Sequence, residues 1–305
     1  MPDVHPSPAD ARARLVGIAL ICLAVVCFTL LDTTAKWLGM RLDTLQVVWA
    51  RFAGHFVLSL IALRPWRNAR LLRARRPGLQ LIRSALLLGA TTFNFTALRF
   101  LQLDQASAIM FTAPLLVAAL SGPMLGERID GRRWLAIGCG FAGVLVVTRP
   151  GLGGIHPAAA FSLLAASCTA LYSITTRMLA PSDSSETTAF YSSVAGLVAA
   201  SVPVVWVWAS PQDGLTLAGL AAVGAFGWIG HWLLIVAHRY APAPVLAPFS
   251  YAQMLWMTLA GLVVFGDRPD RWTLAGAAIV ILSGLYLLVR ERPGGGRSEK
   301  TARSL

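Results

Sequence analysis

Charge is scarce in this chain. Asp, Glu, Lys and Arg make up 13% of its 305 residues, where a soluble domain carries about 25%. That shortage excludes an ordinary water-soluble protein. Acid is scarcer than base, with 14 Asp and Glu against 26 Lys and Arg. No carboxylate pair, metal triad or Ser/His/Asp spacing stands out, so no enzyme and no resident cofactor is expected. A Walker loop is missing, which excludes direct drive by ATP. The four cysteines, Cys22, Cys27, Cys139 and Cys168, lie inside apolar runs without metal-ligand spacing and read as small apolar packing groups. A cleavable signal is also missing. Met1 to Arg14 is polar and holds prolines, and the first apolar run is too long for a signal sequence.

Apolar residues, by contrast, reach 56%, with a mean hydropathy of +0.64. They fall into ten stretches: 15–35, 45–63, 79–99, 105–125, 133–149, 157–177, 187–208, 214–237, 242–265 and 272–290. A helix of roughly 20 apolar residues spans a hydrocarbon core about 30 Å thick. The chain therefore reads as an all-α membrane protein with ten transmembrane helices. Pro and Gly punctuate short loops at Arg75, Arg149, Pro181 and Tyr240. Residues 1–14 form an N-terminal tail, and the polar, Gly-rich segment 291–305 reads as a disordered one.

The net charge of +12 does not signal nucleic acid, because the arginines lie mostly in the short loops. With the N-terminus inside, the inner segments hold 18 Lys and Arg and the outer segments 6, with Arg51 and Arg83 left within spans. That bias places both termini in the cytoplasm, in a cell inner membrane. The "RARR" run before Pro77 reads as orientation signal and anionic-lipid contact. Trp66, Trp134, Trp206, Trp208 and Trp272 fall near span ends and read as interfacial anchors.

An internal repeat is visible. "LGERIDGRRW" (Leu125 to Trp134) joins spans four and five, and "FGDRPDRW" (Phe265 to Trp272) joins spans nine and ten. Each precedes a helix rich in small residues. Five spans per half is an odd number, so the halves 15–150 and 151–290 run in opposite directions. Inverted five-helix repeats with a site near the midplane are a transporter architecture.

These motifs, with "TAPLLVAALSGPMLGER" and "APFSYAQMLWMTLAGLVVFGDRPD", resemble the EamA family, the ten-helix branch of the drug/metabolite transporter superfamily. "LLDTTAK", "VVWARFAGH" and "SYAQMLW" further resemble a subgroup with riboflavin-type transporters, and metabolite and metallophore exporters look similar. The resemblance covers Leu15 to Arg290. It implies two five-helix halves around a central cavity, with helices five and ten at the back.

Charges inside spans nominate the site, since a charge at the bilayer centre costs at least about 2.5–3.5 kcal/mol. Asp32 and Lys36 stand four apart on the first span, and Arg51 and His55 four apart on the second, so each pair shares a helical face. The two faces are expected to meet. Arg51 and Lys36 would grip an anionic or carbonyl-rich group, and Asp32 would balance them or bind a cation. Asp32 reads as the only acid well inside a span, and with His55 it is the candidate for any coupled proton. Lys36 alternatively snorkels to the headgroups. Asn94, between Phe93 and Phe95, His231, between Trp228 and Trp232, and Tyr251, Gln253 and Trp256 on the ninth span are further substrate-binding candidates, with Tyr172 and Tyr191 weaker ones. Gln253 and Trp256, three apart, would offer an amide beside an aromatic face. Glu127 and Asp267, with their arginines, read as loop staples.

The function expected is secondary transport, by alternating access, of a small organic metabolite that is flavin-like, amino-acid-like or a metallophore. The partners are that substrate and the lipid bilayer, without nucleic acid, in a monomer or homodimer. A non-transporting membrane sensor or a channel is the alternative.

Overall fold

The structure is a computed structural model that describes residues 8–126, 130–149, 156–241 and 243–290. Helices account for nearly all of it: α1 (Pro8–Gly39), α2 (Thr44–Leu63), α3 (Pro77–Leu98), α4 (Leu103–Met110), α5 (Ala113–Leu125), α6 (Gly131–Thr148), α7 (Ala159–Leu179), α8 (Ser185–Val207), α9 (Gly214–Tyr240), α10 (Ala243–Ser250), α11 (Ala252–Ala260) and α12 (Arg271–Arg290). Among the described residues there is no strand. Helix starts carry side-chain caps where the loops place acids and serines: Asp43, Asp130, Ser184 and Asp213 each accept from a backbone N–H of the first turn. At Asp213 the N–H and hydroxyl of Thr216 hold the carboxyl below its ordinary range.

Ten spans are present, but the fourth and ninth are not the continuous helices expected. The fourth is α4 plus α5, and the ninth is α10 plus α11 with a π-helical turn over Gly261–Phe265. Proline explains the first break. Pro114 has no N–H to offer the carbonyl of Met110, so the helix restarts after Met110. In the ninth span Pro248 precedes the break, and the Tyr251 N–H turns back to the Pro248 carbonyl at 3.3 Å, three residues away. The two repeats thus break their fourth helices at corresponding places. They also end them alike: Gly126 and Gly266 adopt φ of +72° and +71°, a left-handed conformation that favours glycine. This is the physical content of the "LGER" and "FGDR" repeat. Glu127 itself lies outside the described residues, as do the tails 1–7 and 291–305.

The packing obeys the repeat. α1 packs on α9 as α7 packs on α3, and α2 meets α9 as α8 meets α3. α1 touches α10 and α11 as α7 touches α4 and α5. The pairs α2–α8 and α6–α12 are each their own counterpart. Exchanging the halves therefore maps these main contacts between them onto one another, as a pseudo-two-fold axis in the membrane plane requires. Loops confirm the alternation of ends. Gln46 donates to the Ala209 carbonyl at 2.7 Å and Arg149 pairs with Asp270 at one end. At the other end, which holds the arginine-rich segment 64–76, Gln80 donates to Asp183 at 2.8 Å and Arg239 pairs with Glu186.

Glycine permits the closest approaches. A Cβ on Gly54 of α2 would stand 2.7 Å from Cα of Gly224 of α9, and one on Gly143 of α6 would stand 2.9 Å from the Gly276 carbonyl of α12. Small residues at such crossings let helices associate where no hydrophobic driving force acts between them. Among the described residues, eight helical segments are long and apolar enough to cross a membrane, and α6 and α12 complete the two five-helix halves. Large apolar side chains such as Leu135, Val205, Val263 and Leu282 point outward, which only a lipid surround solvates cheaply. The five tryptophans expected as anchors are all exposed.

Candidate substrate cavity

Three cavities adjoin between the halves. The largest, about 380 Å³, is lined from α2, α3, α7, α8 and α9 by residues including His55, Arg83, Tyr172, Ser192 and His231. It reaches the surface at the arginine-rich end, where Ala180, Ser185 and His238 are exposed. A middle cavity of about 240 Å³ shares Leu87, Tyr172 and His231 with it and adds Asp32, Arg51, Asn94 and Gln253. A third, about 150 Å³, shares Asp32, Asn94, Met110 and Gln253 with the middle one and runs on to Leu98, Leu103 and Met257. Its wall includes Met110 and Phe111 at the break between α4 and α5. Irregular backbone at membrane depth is tolerated where it lines a cavity.

Seven candidates form the polar wall. The Asn94 amide donates to Asp32 Oδ1 at 3.0 Å. Arg51 Nη2 lies 3.4 Å from His231 Nε2, and its guanidinium sits 4.8 Å from the Phe52 ring centroid. The His55 and His231 rings lie 5.9 Å apart, and Phe28 meets His231 edge-on at 5.1 Å. Gln253 lines the middle and third cavities. Tyr172 also lines the first two cavities, held by the Arg83 guanidinium.

The expected grouping of charges is only half right. Asp32 and Lys36 part company despite their spacing. The Lys36 ammonium donates to the Leu101 carbonyl at 2.7 Å and to Asp267 Oδ2 at 3.2 Å, and lies 4.9 Å from the Phe265 ring centroid. It does not join Arg51, because the Leu101 carbonyl and a carboxylate from the other repeat engage it. Asp267 in turn is an inter-repeat partner and not a staple for its neighbouring arginine. Nor is Asp32 the only acid at depth. Asp104, at the start of α4, is 3% exposed and within electrostatic reach of Lys36 and Asp267.

Three candidates fall elsewhere. Tyr191 donates to the Leu72 carbonyl at 2.8 Å near the arginine-rich surface. Tyr251 is buried against Phe111 at 5.1 Å and lines none of the three cavities. Trp256 is 38% exposed on the outer face of α11, because Gln253 takes the cavity side and 60° of helical rotation carries Trp256 past the rim. Trp256→Ala and Trp256→Phe are therefore both expected to change apparent substrate affinity about twofold or less. A large loss for alanine alone, measured as uptake KM, would put Trp256 back in the site.

Arg83, placed within a span by the sequence, was not among the site candidates. It is 5% exposed and ties α3 to α7 and α8: Nε donates to Thr176 at 2.6 Å, Nη1 to the Thr188 carbonyl and Ser192, and Nη2 to Tyr172. Its signal was the same as that of Arg51, a lone cation in an apolar span. At the mouth, Asp183 accepts from the Arg75 N–H and from Gln80.

Comparison with known proteins agrees with this architecture. The sequence profile of the EamA-like transporter family matches residues 15–149 and 156–290. An S-adenosylmethionine uptake transporter of Rickettsia felis is 28% identical over 295 residues, 95% of this chain and 98% of that protein. A riboflavin transporter of Rhizobium johnstonii is 27% identical over 291 residues, 94% of each. One solved crystal structure superposes with a TM-score of 0.61 over 92% of this chain and 98% of that one, at 20% identity, which speaks for the fold alone.

Proposed function

We propose that this chain, which belongs to the EamA-like transporter family, is a secondary transporter that moves a small organic metabolite across the cytoplasmic membrane by alternating access. One observation carries the reading. A series of adjoining cavities, largely apolar with polar side chains set into the wall, is open at the arginine-rich end and stops short of the other, where Lys36 and Asp267 join the two repeats. Lysine and arginine bias makes the open end cytoplasmic, so this conformation faces inward. Pseudo-symmetry supplies the alternative: the contacts of α1 with α9, α10 and α11 and those of α7 with α3, α4 and α5 are equivalent, so rocking one half on the other exchanges the open and closed ends.

The relatives are named for S-adenosylmethionine and riboflavin, both ring systems carrying polar chains. Phe28, Phe95 and Tyr172 offer faces for a ring, and Arg51, Asp32, Asn94 and Gln253 offer the polar partners. Purified protein in liposomes is expected to catalyse saturable uptake of radiolabelled S-adenosylmethionine or riboflavin, accelerated by unlabelled substrate on the opposite side. Flux that neither saturates nor shows counterflow would indicate a channel. Topology has its own test. Alkaline phosphatase fused after Arg303 is expected to be inactive, and a fusion in the Pro211–Gly214 loop active. Activity at the C-terminus would overturn the inward-facing assignment.

A further inference from the structure

We infer that the cavity is built for a zwitterion, whose carboxylate binds Arg51 and whose cationic centre lies against Asp32. This rests on the transporter reading and names the substrate class of the same site. Arg51 is 4% exposed, and its Nη1 is buried without a hydrogen-bond partner. Its one hydrogen-bond neighbour is a histidine nitrogen, His231 Nε2. A guanidinium is charged under any physiological condition and presents a fork that fits a carboxylate through two parallel bonds. Left empty at that depth, the fork is costly, which is the signature of a ligand group.

Asp32 is the complementary half. It lines the middle and third cavities, and its hydrogen bond comes from the neutral Asn94. The cation that sequence spacing assigns to it, Lys36, is engaged by Asp267 instead. Asp32 and Arg51 face the same cavity without forming an ion pair with each other. Two opposite charges on one wall, within electrostatic reach of each other but not in hydrogen-bond contact, describe the negative of a molecule with both signs. The rest of the lining sharpens the polarity. Toward the arginine-rich end the lining holds the Arg83 guanidinium, the imidazoles of His55 and His231 and, at the mouth, Asp183, while Asn94 and Gln253 surround Asp32 with amides on the other side. An amino-acid headgroup, or a carboxylate and a sulfonium on one scaffold, matches that order. A neutral ring compound uses neither charge.

The test measures equilibrium binding to the purified full chain in nanodiscs with three probes: S-adenosylmethionine, its decarboxylated analogue and riboflavin. The wild type is expected to bind S-adenosylmethionine at least tenfold more tightly than the decarboxylated analogue. Arg51→Gln should erase that preference by weakening only the carboxylate-bearing probe, and Arg51→Lys should restore part of it. Asp32→Asn should weaken both sulfonium probes alike. Equal affinity of the wild type for the two sulfonium probes, binding of riboflavin alone, or a preference that survives in Arg51→Gln would each overturn the zwitterion site. Selective binding with no flux in liposomes would instead overturn the transporter reading and leave the site standing.

Discussion

Arg51→Ala is expected to abolish measurable transport while the protein accumulates in the membrane at near wild-type amounts. Truncating one partner of a desolvated charge contact costs about 2–5 kcal/mol, which is roughly 30-fold to a few thousand-fold in affinity. The fold does not depend on this guanidinium in the same way. Arg51 makes one long contact, to His231, and stacks on Phe52, whereas Arg83 binds four groups on two neighbouring helices. Arg83→Ala should therefore lower the amount of folded protein, and Arg51→Ala should not. Membrane-fraction immunoblots beside initial uptake rates separate the two. If Arg51→Ala is degraded, its role is structural.

Charge reversal at the closed end is the second large effect. Lys36 and Asp267 are the ion pair that joins α1 to the end of the ninth span, with side chains only 12% and 22% exposed. Lys36→Glu places two carboxylates where a pair stood, with Asp104 adding to the repulsion. Two unit charges about 4 Å apart interact by roughly 4 kcal/mol at an effective dielectric constant near 20. Each 1.4 kcal/mol is tenfold in a conformational equilibrium, so the closed end should open in most molecules. Ser107 lines the cavity behind it and is 5% exposed. In a background without the four native cysteines, Ser107→Cys should resist a membrane-impermeant thiol reagent added outside, become reactive with Lys36→Glu, and regain protection with Lys36→Glu plus Asp267→Lys. Transport should fall with the single reversal and recover at least in part with the double one. Protection unaffected by Lys36→Glu would mean that packing of Phe265 and Leu101, and not the ion pair, holds the end shut.

The ten spans, their inverted repeat and the family were legible in the residues because each rests on local chemistry. A 30 Å hydrocarbon layer imposes span length on the sequence directly. A left-handed backbone after a helix calls for glycine wherever it recurs, and Gly126 and Gly266 mark both halves for that reason. Membrane depth likewise singled out Asp32, Arg51, His55, Asn94 and His231 as polar groups in apolar runs. Their partners were not legible. The i,i+4 rule puts Asp32 and Lys36 on one face of α1, but a face says nothing of what crosses it. The assembled halves bring Asp267, 231 residues away, to Lys36 and leave Asp32 to the cavity. The proline break that opens the wall at Phe111, the rotation that turns Trp256 outward while Gln253 faces in, and the set of donors gathered by Arg83 follow from how the two repeats dock. Sequence by itself determined which residues enter the membrane, since the bilayer acts on each helix separately. Only the tertiary structure decided which of them meet, since that depends on packing between helices far apart in the chain.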